Sequence, residues 1–190
     1  MQVIDIFWRN KEIQTLAPIW RPGLDVLFVG LNPSLPSMEA GHYHRGNLGK
    51  RFWKRLRSAG LVENADDGRE DEALLDSGLG ITDLVPRPTA RADEITEEEF
   101  SLGAQFVLYQ IQSGNPRGVC FIYKKALEAL VGGKVPGEGG LIESTDEAWT
   151  GLFGESRVFL FPSPYAKSEI EREILDKFKR LVEEVRAGRG

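Results

Sequence analysis

Four short apolar runs punctuate the chain, each stopped by turn-forming residues. Val26-Leu27-Phe28-Val29 ends at Gly30, and Gly80-Ile81-Thr82-Asp83-Leu84-Val85 ends at Pro86. Gly118-Val119-Cys120-Phe121-Ile122-Tyr123 and Arg157-Val158-Phe159-Leu160-Phe161 complete the set. Runs of this length, apolar on both faces, predict strands of a buried parallel sheet. Between them the apolar spacing turns helical. RFWKRLRSAG, residues 51–60, puts Phe52, Trp53 and Leu56 on one face and Gly60 at the end. Thr96 with Glu99, and Ser168 with Glu171, read as capping boxes. The first opens a helix carrying Phe100, Phe106, Val107 and Ile111 to about Gly114. The second opens one carrying Ile170, Ile174, Phe178, Leu181 and Val185. A shorter helix is expected over 124–130.

Strands alternating with helices predict a three-layer α/β/α sandwich around a four-stranded parallel sheet, one domain over residues 1–190. Residues 1–24 are expected to pack onto it as a partly helical segment through Ile4, Phe7, Trp8 and Leu16. The 31–46 stretch reads as a loop held on a fixed path by Pro33, Pro36 and Gly41. Residues 63–72 read as an acidic surface segment leading into a short helix near 71–77. Gly132–Gly140 reads as loop, and it lacks the Gly-Lys-Ser/Thr ending of a phosphate-binding loop.

Composition narrows the chemistry. Cys120 is the single cysteine, inside an apolar run and expected to be an inert packed thiol, and His42 and His44 are the only histidines. A cysteine-ligated cluster or disulfide is excluded, and no metal or organic cofactor is expected. No apolar run reaches the roughly 18–20 residues of a membrane span, and the N-terminus lacks the layout of a signal peptide, so a cytoplasmic protein is expected. The formal net charge is -5. Its distribution is uneven: residues 40–62 hold no acid but carry Arg45, Lys50, Arg51, Lys54, Arg55 and Arg57. Such a patch suits phosphate contacts, or is a solvated helix face.

Two strand ends stand out, Asn32-Pro33-Ser34 and Pro162-Ser163-Pro164-Tyr165, because open α/β sheets bind ligands at the carboxyl ends of their strands. Asn32 before a proline is a turn former, or an amide that positions a water through its donor and acceptor groups. The residues alone leave both open.

GLNPS, then GHYHRGN, then RFWKRL, together with LLDSGLGITDLVPRPTARADEI, resemble the mismatch-specific uracil-DNA and thymine-DNA glycosylases of the uracil-DNA glycosylase superfamily, in order over about residues 24–187. The resemblance implies that family's fold, a four-stranded parallel sheet between helices. It implies that Asn32 holds the attacking water near C1′ of a flipped-out nucleotide. Leu31, Ser37, Tyr43 and His44 would form the base pocket, with His44 or Tyr43 stacking on the base. Arg51, Lys54 and Arg87 would meet phosphates. Ser163, Tyr165, Ala166, Lys167 and Ser168 match the loop that enters the duplex, although Ser163, Ala166 and Lys167 replace the family's asparagine, small residue and wedge leucine. Ser34 likewise replaces a family glycine.

The expected function is therefore a monofunctional DNA glycosylase, a monomer acting on double-stranded DNA that carries uracil or a related damaged or mismatched base. A damage-binding module without catalysis is the alternative. A serine hydrolase using Ser37 or Ser163 is weakened because no Gly-x-Ser-x-Gly elbow exists and neither histidine has a clear acid partner in the sequence.

Overall fold

The computed structural model describes residues 2–62, 65–143 and 147–188. Of the acidic segment expected at 63–72, residues 63 and 64 lie outside the described residues. The chain opens not with helix but with a hairpin, β1 (Val3–Trp8) and β2 (Lys11–Leu16), in which Ile6 pairs with Ile13. Its two turn residues, Arg9 and Asn10, both have positive φ, the geometry that matches the twist of a two-residue hairpin. Asn tolerates that conformation but Arg does not advertise it, which is why the turn is hidden in the sequence.

The sheet follows. β3 (Val26–Gly30) leads through α1 (Leu35–Ala40) and α2 (Asn47–Ser58) to β4 (Leu79–Asp83). Then come α3 (Glu97–Gly114), β5 (Gly118–Phe121), α4 (Lys124–Val131), β6 (Gly140–Ile142), α5 (Glu147–Phe153), β7 (Arg157–Leu160) and α6 (Ser168–Ala187). The spatial order is β4-β3-β5-β7-β6. The four expected strands are parallel, and β6 adds a fifth, antiparallel to β7. β6 went unread because its three residues emerge from a glycine-rich stretch that has no periodicity of its own.

The three-layer reading holds. Alternate residues of β3 point to opposite faces, so Val26 and Phe28 join Phe52, Trp53, Leu56 and Phe178 on the α2/α6 side. Leu27 and Val29 join Phe100, Val107, Leu127 and Phe153 on the α3/α4/α5 side. Phe28 meets Phe52 edge-on at 5.3 Å between ring centroids, a favourable aromatic geometry. Phe106 departs from the expected core role, being 62% exposed beside Trp8.

Caps divide the same way. The Thr96–Glu99 box forms as read. The Ser168–Glu171 box does not: Lys167 is the cap residue and offers no side-chain bond. Glu171 turns away to Arg51 and Arg55, because a carboxylate gains more from two guanidiniums than from one backbone N–H. Within the expected loop 31–46, Ser34 caps α1 by accepting from the Ser37 N–H at 3.3 Å. The short helix near 71–77 is a pair of 3₁₀ turns, Glu70–Ala73 and Leu75–Ser77.

Candidate active site

From β3 the chain steps to β4 on one side and later to β5 on the other. A crevice opens where strand order reverses in this way, at the carboxyl ends. A cavity of about 300 Å³ occupies that place, and Asn32, Ser37, Tyr43, His44, Asp83 and Tyr123 are among its lining residues.

Asn32 follows β3 by two residues. Its side-chain nitrogen donates to the Thr89 hydroxyl at 2.8 Å and to the carbonyls of Arg87 and Pro33 at 3.2 Å each. Carbonyls only accept, so the atom facing them is the NH₂ group. Thr89 is buried and passes its own proton to the Arg91 carbonyl at 2.8 Å. The amide is thus fixed by the segment after β4, and its Oδ1 makes no hydrogen bond among the described residues. A clamped amide with a spare acceptor can hold a water by one proton.

Asp83, the last residue of β4, pairs in register with Gly30. A Cβ at position 30 would collide with the Asp83 carboxylate, so the glycine lets the acid lie across the end of β3. Burial lifts that carboxyl to about 7, because the charged form is poorly solvated there. An acid poised near neutrality, in the same cavity as an amide with a spare acceptor, is suited to accept a proton at physiological pH. Asp83 was not singled out in the sequence. The signal was its place at a strand end, level with Gly30, but only the register brings the two together.

The opposite wall is the 42–44 turn. Asp71, itself buried, accepts from the Tyr43 N–H at 2.8 Å and pairs with His42 Nδ1 at 2.9 Å. His42 thus has the acid partner the sequence did not reveal, and the pair fixes backbone. The Ser37 hydroxyl accepts from the Arg45 N–H at 3.1 Å and pairs with the Ser34 hydroxyl at 2.9 Å. The His42 N–H donates to the Ser37 carbonyl at 3.2 Å, but no serine hydroxyl bonds an imidazole ring among the described residues.

His44 has φ +55° and lies over Phe52, with ring centroids 4.5 Å apart. Gly49 permits this, because a Cβ there would enter the His44 backbone. Burial, helped by Arg45, lowers the imidazole to about 4, so it is neutral at pH 7, and its Nε2 is buried without a hydrogen-bond partner among the described residues. Tyr43 is buried, with its phenol well above the usual range through burial and the nearby Asp83 and Asp71; its hydroxyl donates to the Ala17 carbonyl at 3.3 Å. Leu31 packs into the core beside Val29 and is not among the cavity's lining residues.

The cations are less available than their density suggests. Arg45 pairs with Glu70 at 2.7 Å, and Arg57 with Asp67 and Glu70. Arg51 and Arg55 share Glu171, and Arg55 also donates to the carbonyls of Pro162 at 2.8 Å and Ser163 at 3.0 Å. Arg87 grips the buried Glu99, whose carboxyl the Arg87 hydrogen bond holds down at about 2. Lys50 and Lys54 form no ion pair among the described residues.

The 162–168 loop flanks a second depression of about 590 Å³ that shares Tyr123 with the first. Arg51 and Arg55 hold its backbone from below, Ser163 accepts from the Tyr165 N–H at 3.2 Å, and the Ala166 N–H donates to the Ser163 carbonyl at 3.0 Å. Tyr165 is left 81% exposed at the tip, with Lys167 and then Ser168 leading into α6. A family model for the uracil DNA glycosylase superfamily matches residues 18–186.

Proposed function

The chain belongs to the uracil DNA glycosylase superfamily, and we propose that within it this protein is a mismatch-specific, monofunctional glycosylase that starts base-excision repair. The observation that carries the reading is the pairing, in one cavity at the sheet's switch point, of the clamped Asn32 amide with the Asp83 carboxyl. The GLNPS and RFWKRL motifs support the mismatch-specific branch.

A nucleotide flipped from duplex DNA enters the cavity, because chemistry at C1′ is out of reach inside the stack. Its base stacks on His44, which is neutral at pH 7. Asn32 holds a water by Oδ1 facing C1′, and Asp83 accepts its proton as the C1′–N bond breaks. The sugar becomes cationic and the base departs as an anion, so placement and charge stabilisation count for more than a strong nucleophile. The Asp83 carboxylate also favours the cationic sugar. Water adds to C1′ and its proton passes to Asp83, the departed base anion and the protonated Asp83 then exchange protons with solvent, and an intact strand with an abasic site remains. Among the described residues no lysine lines the cavity to capture C1′ covalently. Tyr165 enters the duplex beside the vacated position, and Lys167 meets a phosphate. The protein works as a cytoplasmic monomer.

Single-turnover excision from oligonucleotides carrying uracil, hypoxanthine or ethenocytosine, each opposite all four bases, tests this. The wild-type chain should release at least one of them, and Asn32→Ala should lose about 10²–10³-fold in rate while still binding the DNA. Binding without release by the wild type would leave a damage-recognition module and end the enzymatic reading.

A further inference from the structure

Behind the candidate active site, between hairpin β1–β2 and α3, lies another cleft of about 260 Å³. Its sides are Ile4, Phe7, Trp8, Pro18 and Phe106. Phe7 and Phe106 are 75% and 62% exposed, an unusual outlay of aromatic surface. Two polar residues line the same space, Thr15 at 2% exposure and Gln110 at 8%. Thr15 Oγ1 and Gln110 Oε1 are both buried and lack a hydrogen-bond partner among the described residues. Buried polar atoms are nearly always paired, and leaving one unpaired costs about 1–3 kcal/mol. Two such atoms in one apolar slot mark a place built to be completed from outside.

We infer that this cleft is a second ligand site, for a flat, uncharged heteroaromatic with a lactam edge, the chemistry of a free nucleobase. Flatness follows from the aromatic lining, in which Trp8 and Phe106 pack together at 5.9 Å between ring centroids and offer a ring to stack on. Lack of negative charge follows because, among the described residues, no lysine or arginine lines it while Asp83 does. A lactam edge follows from the side-chain chemistry. A glutamine amide offers one acceptor and one donor side by side, and pairs with a ring that presents N–H next to C=O. The size suits a single ring rather than a nucleotide. The hairpin wall lies outside the matched span, residues 18–186, and the rest of the lining lies within it. The cleft backs onto the catalytic cavity through Leu16, Tyr43 and Asp83, which line both.

Free uracil is titrated into the full chain while the Ile4 and Ile6 methyl resonances are followed. No DNA is present, so the result is independent of whether the protein excises bases. Saturable shifts are expected with a dissociation constant of about 1 mM or tighter. 1,3-Dimethyluracil, which keeps the flat ring but carries methyl groups in place of both N–H protons, should bind at least ~10-fold more weakly, as the loss of about one net hydrogen bond requires. Gln110→Leu should abolish the shifts without lowering the thermal midpoint, since it removes an unpaired polar atom. Thr15→Val gives a second, shape-conserving variant with the same expected loss. Unmoved Ile4 and Ile6 resonances at about 10 mM uracil would overturn the site. Equal binding of dimethyluracil, or shifts that persist in both variants, would do the same.

Discussion

Asp83 concentrates the chemistry at the residue scale. Its carboxyl titrates near 7 because burial disfavours the charge, and the proposed role needs the ionised form. Single-turnover excision should therefore climb about tenfold per pH unit below 7 and level off above it, since one proton must be lost. Asp83→Asn should flatten that profile and lower the plateau by about 10²-fold. The stability consequence runs the other way. A carboxyl whose folded pKa is raised binds its proton more tightly when folded, so its contribution is greatest below the unfolded value near 4 and is lost as pH rises through about 7. Asp83→Asn should accordingly raise the thermal midpoint at pH 8 more than at pH 4. A variant that loses activity and stability together at pH 8 would place Asp83 in a structural role. Asn32 was legible in the sequence because an amide before proline at a strand end is a local pattern. Thr89, which orients it, and Asp83, which shares its cavity, lie 57 and 51 residues away in sequence, brought alongside by β4.

Among the elements, α6 shows how local rules yield to tertiary ones. Ser168–Glu171 has the spacing of a capping box, yet Glu171 serves Arg55 and Arg51, whose hydrogen bonds hold its carboxyl at about 2. The pair of arginines also fastens the 162–164 backbone, so Glu171 ties α2, α6 and the proposed DNA-facing loop into one unit. Glu171→Gln should cost about 2–3 kcal/mol in urea unfolding, less than the ~3–5 of a wholly buried pair because Arg51 is 40% exposed. The same contribution should fade in the wild type as pH falls from about 4.5 towards 2, the interval over which the native carboxylate outlasts the unfolded one. Excision should weaken as well, through loss of the loop's position. Loss of stability with unchanged excision would detach the loop from the reaction. The parallel strands were readable because burial on both faces leaves continuous apolar runs. The hairpin and β6 were not, since one turns on a non-glycine pair and the other is only three residues long.

For the whole molecule the decisive quantity is how many positive charges remain for DNA. Read along the sequence, residues 40–62 offer six cations and no acid, with the negative charge apparently elsewhere. Folding brings Asp67, Glu70 and Glu171 back over that stretch and neutralises four of the six, Arg45, Arg51, Arg55 and Arg57. Charge density along a chain cannot show this, because the partners arrive from up to 120 residues away. Of the cations nearest the two depressions, Lys50, Lys54, Lys124 and Lys167 remain outside ion pairs among the described residues. Each phosphate neutralised on duplex DNA contributes about −0.9 to the slope of log K against log salt. Four lysines therefore predict a slope of about −3 to −4, whereas the six-cation patch plus the loop lysine would give about −6. Fluorescence anisotropy with Asn32→Ala on a uracil-containing duplex, from about 50 to 200 mM salt, measures it without turnover. Lys54→Ala should reduce the slope by about one, while Arg57→Ala should leave it unchanged because its charge is already spent on Asp67 and Glu70. A slope near −6, or an equal response to the two substitutions, would mean that the ion pairs open on DNA and that the acids serve as a screen the duplex displaces.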